Sequence, residues 1–350
     1  MNIKSSFKYK EKILILKNDA VGDLCQSLPA IYNIINTENS DIEIYLSERS
    51  KNFKFLIKGK DIKFKIFNYD LKLIEKIKII KKFFFEKIDK VYILTPKNFY
   101  FYLPFLFRSI KFFGLCINGP NNYKRPPLFL RKLLFKHVVN DREAIYKRDH
   151  TTKLQIDLTN SESSNINNDI QIKLKISDFL KKNLPTNYAY FHLKKDIIDK
   201  LKWSIEDLNK LFNFLLENYE HVVFTRDIEI NNKNDLLKEK FKTIDFENNK
   251  IFNKNLSTKI ILYDNIKGED LYETILNSSK VIAFHGMMTN LASINKKNTI
   301  DMWFCDIKNY NDYRNYRNAF YEFKPKYKGY NFIIPSKRID KTIKKLSNFI

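Results

Sequence analysis

The stretch Ile13–Ile35, ILILKNDAVGDLCQSLPAIYNII, decides the fold class. Its first four residues, Ile13-Leu14-Ile15-Leu16, are apolar without alternation, the pattern of a strand covered on both faces. A tight loop ending at Gly22-Asp23 follows, then a helix whose start is restricted by Pro29. Such a loop lies at the carboxyl end of a first strand, where open α/β sheets bind ligands. The chain holds only seven glycines in 350 residues, against a typical share of about 7%. Gly22 is therefore expected to serve the backbone, through a positive φ or a close approach to a ligand. An ordinary turn in which Asp23 only caps the helix fits the local pattern equally.

Working outward, strands and helices alternate along the whole chain. Ile42–Leu46 reads as a second strand, Leu71 to Phe85 as helical material, and Lys90–Leu94 as a third strand. Residues 99 to 136 interleave Phe105, Phe107, Phe112, Phe113, Phe129 and Phe135 with cations that include Arg108, Lys111, Lys124, Arg125 and Arg131. That segment is the expected membrane-contacting surface; an aromatic core is the competing reading. The polar run 159–169, TNSESSNINND, reads as a loop or linker.

A second α/β series follows, with strands at Tyr188–Leu193, Val222–Phe224, Lys259–Leu262, Val281–Phe284 and Thr299–Trp303. Helical periodicity runs over Ile205–Glu217 and Glu269–Asn277, and a helix begins near Leu291 after the turn that opens at His285. Two such series make two Rossmann-like domains facing across a ligand cleft. The expected boundaries are 1–180 and 181–335, with a C-terminal helix over 336–350.

Composition limits the classes. A length of 350 residues with 44% hydrophobic content supports two cores. No window holds 18 uninterrupted apolar residues, and Phe99–Ile117 is broken by Pro104, Arg108, Ser109 and Lys111. The apolar run after the basic N-terminus is too short for a secretory signal. Cys25, Cys116 and Cys305 are scattered, as in a reducing cytoplasm, and give no zinc spacing. The expectation is a cytoplasmic protein, placed peripherally on the inner face of the membrane. The net charge of +23 and pI near 9.6 favour nucleic acid, an anionic membrane or phosphorylated substrates as partner. A Lys- and Asn-rich composition of the kind AT-rich coding produces accounts for the same charge without function.

The ordered motifs resemble glycosyltransferase family 9, the lipopolysaccharide heptosyltransferase family. NDAVGDLCQSLPAI supplies Asp19, Gly22, Asp23, Leu28 and Pro29 in the family's opening arrangement. AFHGMMTNLASINKKNTIDMW gives Gly286, Thr289, Asn290, Leu291 and Ala292 where the family has a strand, a Gly turn and a helix start. Between them, LKKDIIDKLKWSIEDL provides Lys200, Lys202 and Trp203 in place of a basic Trp segment. The departures lie in the later half: His285 replaces an Asp, Met287 stands at a glycine position, Asn290 replaces a His, and Leu201 replaces a Lys.

This resemblance implies the GT-B fold and transfer of a sugar from a nucleotide sugar to a glycan or glycolipid acceptor. It implies inversion at the anomeric carbon, with Asp23 as general base and no metal or other cofactor. The acceptor-side loop would include Asp19, Gly22 and Gln26. The donor side would use Lys200, Lys202, Thr225, Arg226, His285, Gly286, Met287, Thr289 and Asn290, with backbone N–H groups at the late turn aimed at the diphosphate. Another nucleotide-sugar enzyme on the same fold is an alternative. A nucleic-acid-binding α/β protein is a second one, supported by charge but by no recognisable nucleic-acid module.

Overall fold

Residues 10–37, 40–59, 61–119, 128–143, 148–159, 174–227 and 236–350 are described in a computed structural model. The chain divides into two units, Met1–Asn167 with Tyr310–Lys324, and Asn168–Asn309 with Pro325–Ile350. The proposed linker residues 160–169, together with Lys124 and Arg125, lie outside the described residues.

In the first unit the apolar run forms β1 (Glu11–Lys17), followed by α1 (Val21–Thr37), β2 (Ser40–Ser47) and β3 (Lys63–Phe67). Next come α2 (Leu73–Phe85), β4 (Lys90–Ile93), α3 (Asn98–Leu106), β5 (Lys111–Asn118), β6 (Lys136–Asp141) and α4 (Thr151–Leu158). The six strands are parallel in the order β3-β2-β1-β4-β5-β6. β1 lies inside this sheet, pairing Ile13 with Ile42 on one side and Leu14 with Val91 on the other, and Ile13 to Leu16 are at most 1% exposed. Strand order reverses between β1 and β4, which puts the β1–α1 loop at the switch point where such sheets take ligands.

Two local expectations are corrected here. α1 starts at Val21, with Leu24 N–H donating to the Ala20 carbonyl at 3.0 Å, so Gly22 and Asp23 belong to its first turn and not to the loop. Gly22 is absent from the described positive-φ glycines, which are Gly268, Gly286 and Gly329. Pro29 sits inside the helix and does not set its start; it has no N–H to give the Cys25 carbonyl, four residues back. Burial of Val21, Leu24, Leu28 and Ile31 outweighs the cost of a helical glycine, about 1 kcal/mol.

The aromatic segment is the second correction. Residues 111–118 form an inner strand between β4 and β6, so Phe112 and Phe113 are core and Phe107 is buried beside them. Phe83 of α2 stacks on Phe112 with ring centroids 6.1 Å apart. Only Phe105, Phe129 and Phe135 of the six named phenylalanines remain exposed.

The second unit contains α5 (Asp178–Asn183), β7 (Tyr188–Leu193), α6 (Lys195–Leu201), α7 (Ile205–Leu216), β8 (His221–Arg226), α8 (Leu236–Lys240) and β9 (Lys242–Asp245). β10 (Lys250–Phe252), β11 (Ile260–Asp264), α9 (Gly268–Asn277), β12 (Lys280–Phe284), α10 (Met287–Ile294) and β13 (Thr299–Met302) follow. The series ends with α11 (Tyr310–Phe323), which clusters with the first unit, then β14 (Tyr330–Ile333) and α12 (Ile339–Leu346). The sheet order is β10-β9-β11-β8-β7-β12-β13-β14, antiparallel only between β10 and β9. A second switch point thus lies between β7 and β12. A reciprocal cap opens α7, where Ser204 Oγ accepts from Asp207 N–H and the Asp207 carboxylate accepts from Ser204 N–H. Trp203 packs 6.0 Å from Phe284 and donates to the Ser336 carbonyl. Among the described residues, no helix is long and apolar enough to cross a membrane.

α11 is tied into the first unit by Glu322, which is fully buried. Its carboxylate accepts from Asn140 Nδ2 at 2.7 Å, Arg142 Nη2 at 2.9 Å and Arg148 Nη1 at 2.8 Å. Removing one partner from a buried ionic cluster leaves uncompensated charge. Glu322→Ala is therefore expected to lower the unfolding free energy by about 3–5 kcal/mol in urea denaturation, and Glu322→Gln by less. An Ala variant as stable as the parent would show that the cluster contributes nothing net.

Candidate functional site

The β1–α1 loop spans residues 18–20 and is held by inward bonds of Asn18 and Asp19. Asn18 Oδ1 accepts from Tyr100 OH at 2.6 Å. Asp19 Oδ2 accepts from Lys17 Nζ at 2.7 Å and from Thr95 Oγ1 at 2.8 Å. Ser47 Oγ donates to the Asp19 carbonyl at 2.5 Å. Asp19 thereby joins the ends of β1, β2 and β4, and Lys17 is only 1% exposed. Asp19 Oδ1 is buried without a hydrogen-bond partner.

Beside this loop opens a cavity of about 570 Å³ lined by Asp19, Asp23, Tyr69, Lys76, Lys97 and Arg142, among others. Arg49 and Lys97 both lie over the Tyr69 ring, at 4.1 and 4.4 Å from its centroid. Half-buried Asp23, in the first turn of α1, reaches this cavity. Burial pushes its carboxyl up to about 6, reinforced by the Asp19 charge and opposed by Lys17, the Ala20 backbone and Arg142. A carboxylate poised there can exchange a proton with a hydroxyl near neutral pH. Gln26 faces elsewhere: its Nε2 donates to the Phe323 carbonyl at 3.1 Å, tying α1 to α11. Gly22 supplies a side-chain-free position one residue before Asp23.

The later motif forms the β12–α10 turn of the second unit. Gly286 has φ +152° and ψ −137°, a region essentially reserved for glycine. A Cβ there would also lie 2.5 Å from Lys194 Nζ. Thr289 Oγ1 accepts from Gly286 N–H and donates to Gly286 C=O, and Asn290 Nδ2 donates to the same carbonyl at 2.8 Å. Both side chains thus hold the turn together, and Met287 opens α10, whose first-turn N–H groups favour an anion.

His285 is fixed by Asp301, a residue the sequence reading passed over. Its Nδ1 lies 2.7 Å from Asp301 Oδ2, and its ring stacks on Trp303 at 3.6 Å. Trp303 Nε1 and Tyr330 OH donate to the same oxygen at 2.9 and 2.8 Å. Asp301 is fully buried. A carboxylate can only accept, so His285 Nδ1 carries the proton and Nε2 is left for a ligand. The His285 side chain keeps 20% of its surface exposed.

The lysine brought to this turn is Lys194, whose Nζ donates to the His285 carbonyl at 2.5 Å. It follows directly on the apolar run of β7, and that position at a strand's carboxyl end was the signal available. Lys200 is exposed and pairs loosely with Asp196 at 3.9 Å, and exposed Lys202 is the left-handed C-cap of α6 with φ +59°. Thr225 is buried between Tyr190 OH at 2.6 Å and His192 Nδ1 at 2.8 Å. Burial lowers the His192 pKa, against the neighbouring Asp227. Arg226 Nε bonds Asp264 Oδ1 at 3.1 Å, an ion pair buried across the ends of β8 and β11.

Compared with known proteins, the chain matches no family profile and no curated protein sequence. Solved structures do match. A glycosyl transferase family 9 protein from Veillonella parvula DSM 2008 aligns over 97% of this chain and 90% of its own, with TM-score 0.64 and 12% identity. The E. coli ADP-heptose lipopolysaccharide heptosyltransferase II aligns over 97% and 98%, with TM-score 0.64 and 11% identity. The UDP-GlcNAc 2-epimerase of Methanocaldococcus jannaschii aligns over 97% and 92%, with TM-score 0.52 and 13% identity. At these identities the likeness concerns the fold: the chain has the GT-B fold, in a form similar to that of a family 9 glycosyl transferase.

Proposed function

We propose that this chain is a glycosyltransferase that moves a sugar, of hexosyl or heptosyl type, from a nucleotide-sugar donor to a lipid-linked or cell-envelope glycan. The observation that carries this reading is Asp23, a carboxylate with its pKa raised to about 6 at the edge of a cavity beside the first switch point. The Asp23 carboxylate takes the proton of an acceptor hydroxyl. The acceptor oxygen then bonds to the anomeric carbon as the bond from that carbon to the phosphate oxygen breaks, inverting the centre. The nucleoside diphosphate leaves with both bonding electrons.

Its charge is met in the second unit by Lys194, by the start of α10 and by His285 Nε2. Gly286 lets the backbone approach the phosphates with no Cβ in the way. The first unit thus serves the acceptor and the second the donor, and no metal or further cofactor enters the scheme. Of the three solved proteins named, the E. coli and Methanocaldococcus jannaschii enzymes are described with sugars carried by different nucleotides, ADP and UDP, so the fold leaves the nucleotide open. A UDP-GlcNAc 2-epimerase among the similar folds also keeps a nucleotide-sugar enzyme of another kind as the second reading.

A thermal-shift series with ADP-, UDP-, GDP- and CMP-sugars is expected to give stabilisation by one nucleotide class. His285→Ala should lose that shift and Asp23→Asn should keep it while losing transfer. No shift with any of the four would overturn the transferase and the second reading together. Release of a free altered sugar nucleotide without acceptor would favour the second.

The Asp23 titration gives two further outcomes. The base must be ionised, so kcat/KM is expected to fall below about pH 6, not below about pH 4 where an ordinary Asp titrates. Because the folded pKa is raised, the folded state holds this proton more tightly than the unfolded one. Stability attributable to Asp23 is then present below about pH 4 and lost as pH rises to about 6. The melting temperature of Asp23→Asn relative to the parent should rise across that window; a constant difference would place the Asp23 pKa at its ordinary value.

A further inference from the structure

The outward face of α2 is apolar where a surface helix should be polar. At about 100° per residue, Leu73, Ile74, Ile77, Lys78, Lys81, Phe84 and Phe85 share one arc of the helix. Leu73 is 72% exposed, Ile74 67%, Ile77 44%, Phe84 70% and Phe85 84%. At roughly 200 Å² for each fully exposed side chain of this size, they present on the order of 600 Å². That is at the upper end of what monomeric surfaces carry. The opposite side already supplies the core contacts, through Ile79 and Phe83. Lys82 is buried there in ion pairs with Glu43 and Glu86, both at 2.7 Å.

The patch continues beyond the helix. The Phe84 ring meets Phe107 edge-on at 5.0 Å, at the end of α3, where Phe105 and Leu106 are each 52% exposed. Arg108 lies 5.7 Å from the Phe105 ring. Exposed Lys72 and Lys87 flank α2, so the apolar stripe is bordered and interrupted by cations. No carboxylate shares the arc. The only acidic residue of α2, Glu75, turns back to accept from the Asn68 and Lys72 N–H groups at 2.8 and 2.9 Å.

We propose that this face of α2, with the end of α3, is the surface by which the protein rests on an anionic lipid bilayer. Leucine, isoleucine and phenylalanine side chains enter the boundary between headgroups and acyl chains, while Lys78, Lys81 and Arg108 meet lipid phosphates. A second copy fits less well. A two-fold pairing of this face sets Lys78 and Lys81 against the same lysines with no acid to answer them. The surface also lies next to the cavity. Leu71, two residues before α2, and Lys76 on its flank line the same cavity as Asp23. Under the transferase reading, on which this consequence alone rests, a lipid-linked acceptor is delivered beside its base.

The test is co-sedimentation of the full chain with phosphatidylcholine vesicles, with and without phosphatidylglycerol, at low and high salt. Binding is expected only with the anionic lipid and should weaken with salt. Ile74→Ser/Phe84→Ser/Phe85→Ser should weaken it by about tenfold or more, since each buried large apolar side chain contributes at least that much. Lys78→Glu/Lys81→Glu should remove most of the salt-sensitive part. All five side chains are exposed, so melting temperature and nucleotide-induced shifts should stay at parental values. The proposal fails if the parent does not bind anionic vesicles at low salt, or if the triple variant binds as the parent does. It also fails if light scattering without lipid shows a dimer that the triple variant splits. The vesicle assay is independent of the nucleotide screen, so the two readings can fail separately.

Discussion

The interaction on which the first unit's site depends is the buried pair between Lys17 and Asp19. A lysine with 1% of its surface exposed is tolerated only because a carboxylate meets it at 2.7 Å. The same carboxylate reaches Thr95 after β4, and the Asp19 backbone is held by Ser47 at the end of β2. One acidic residue thus locks three neighbouring strand ends and leaves the chain only three residues in which to turn into α1. Asp23 is delivered to the cavity by that short turn. Burial raises the Asp23 pKa, the Asp19 charge adds to that effect, and Lys17 opposes it.

The second unit achieves a comparable rigidity with a different hub. Asp301, fully buried on β13, gathers His285, Trp303 and Tyr330 onto one oxygen. Gly286, in a backbone conformation other residues avoid, lets the chain pass Lys194 at close range. In both units a buried aspartate fixes the chain next to a polar side chain that keeps access to solvent: Asp19 beside Asp23, and Asp301 beside His285.

Legibility in the sequence followed the range of the physics involved. The β1–α1 unit was readable because an unalternating apolar run and an apolar helical period are local signals. Its boundary was misplaced because bonds from Tyr100 and Thr95, far along the chain, shorten the loop. The 99–136 segment misled because phenylalanine is abundant throughout this composition, and only the pairing of β5 separates core rings from surface ones. Lys194 and Lys200 look alike in a chain with 63 Lys and Arg residues; only the strand end distinguishes them. Asp301 was seen as part of a strand and Glu322 not at all. Their partners, such as Arg142 at 180 residues' distance, are invisible to any local pattern. The exposed face of α2 escaped notice because a helical stripe looks the same whether it points inward or outward.

The return of residues 310–324 to the first unit changes what a module means in this chain. The polypeptide passes between units three times, after residues 167, 309 and 324, so neither unit is one continuous segment. A fragment ending at residue 167 keeps Arg142 and Arg148 but lacks the carboxylate that neutralises them. During synthesis the first unit stays incomplete until residue 324 has been made. Recombination that exchanges the first unit for that of a relative would have to carry α11 with the N-terminal half. A single crossover in the middle of the chain would leave that half without the helix that completes it.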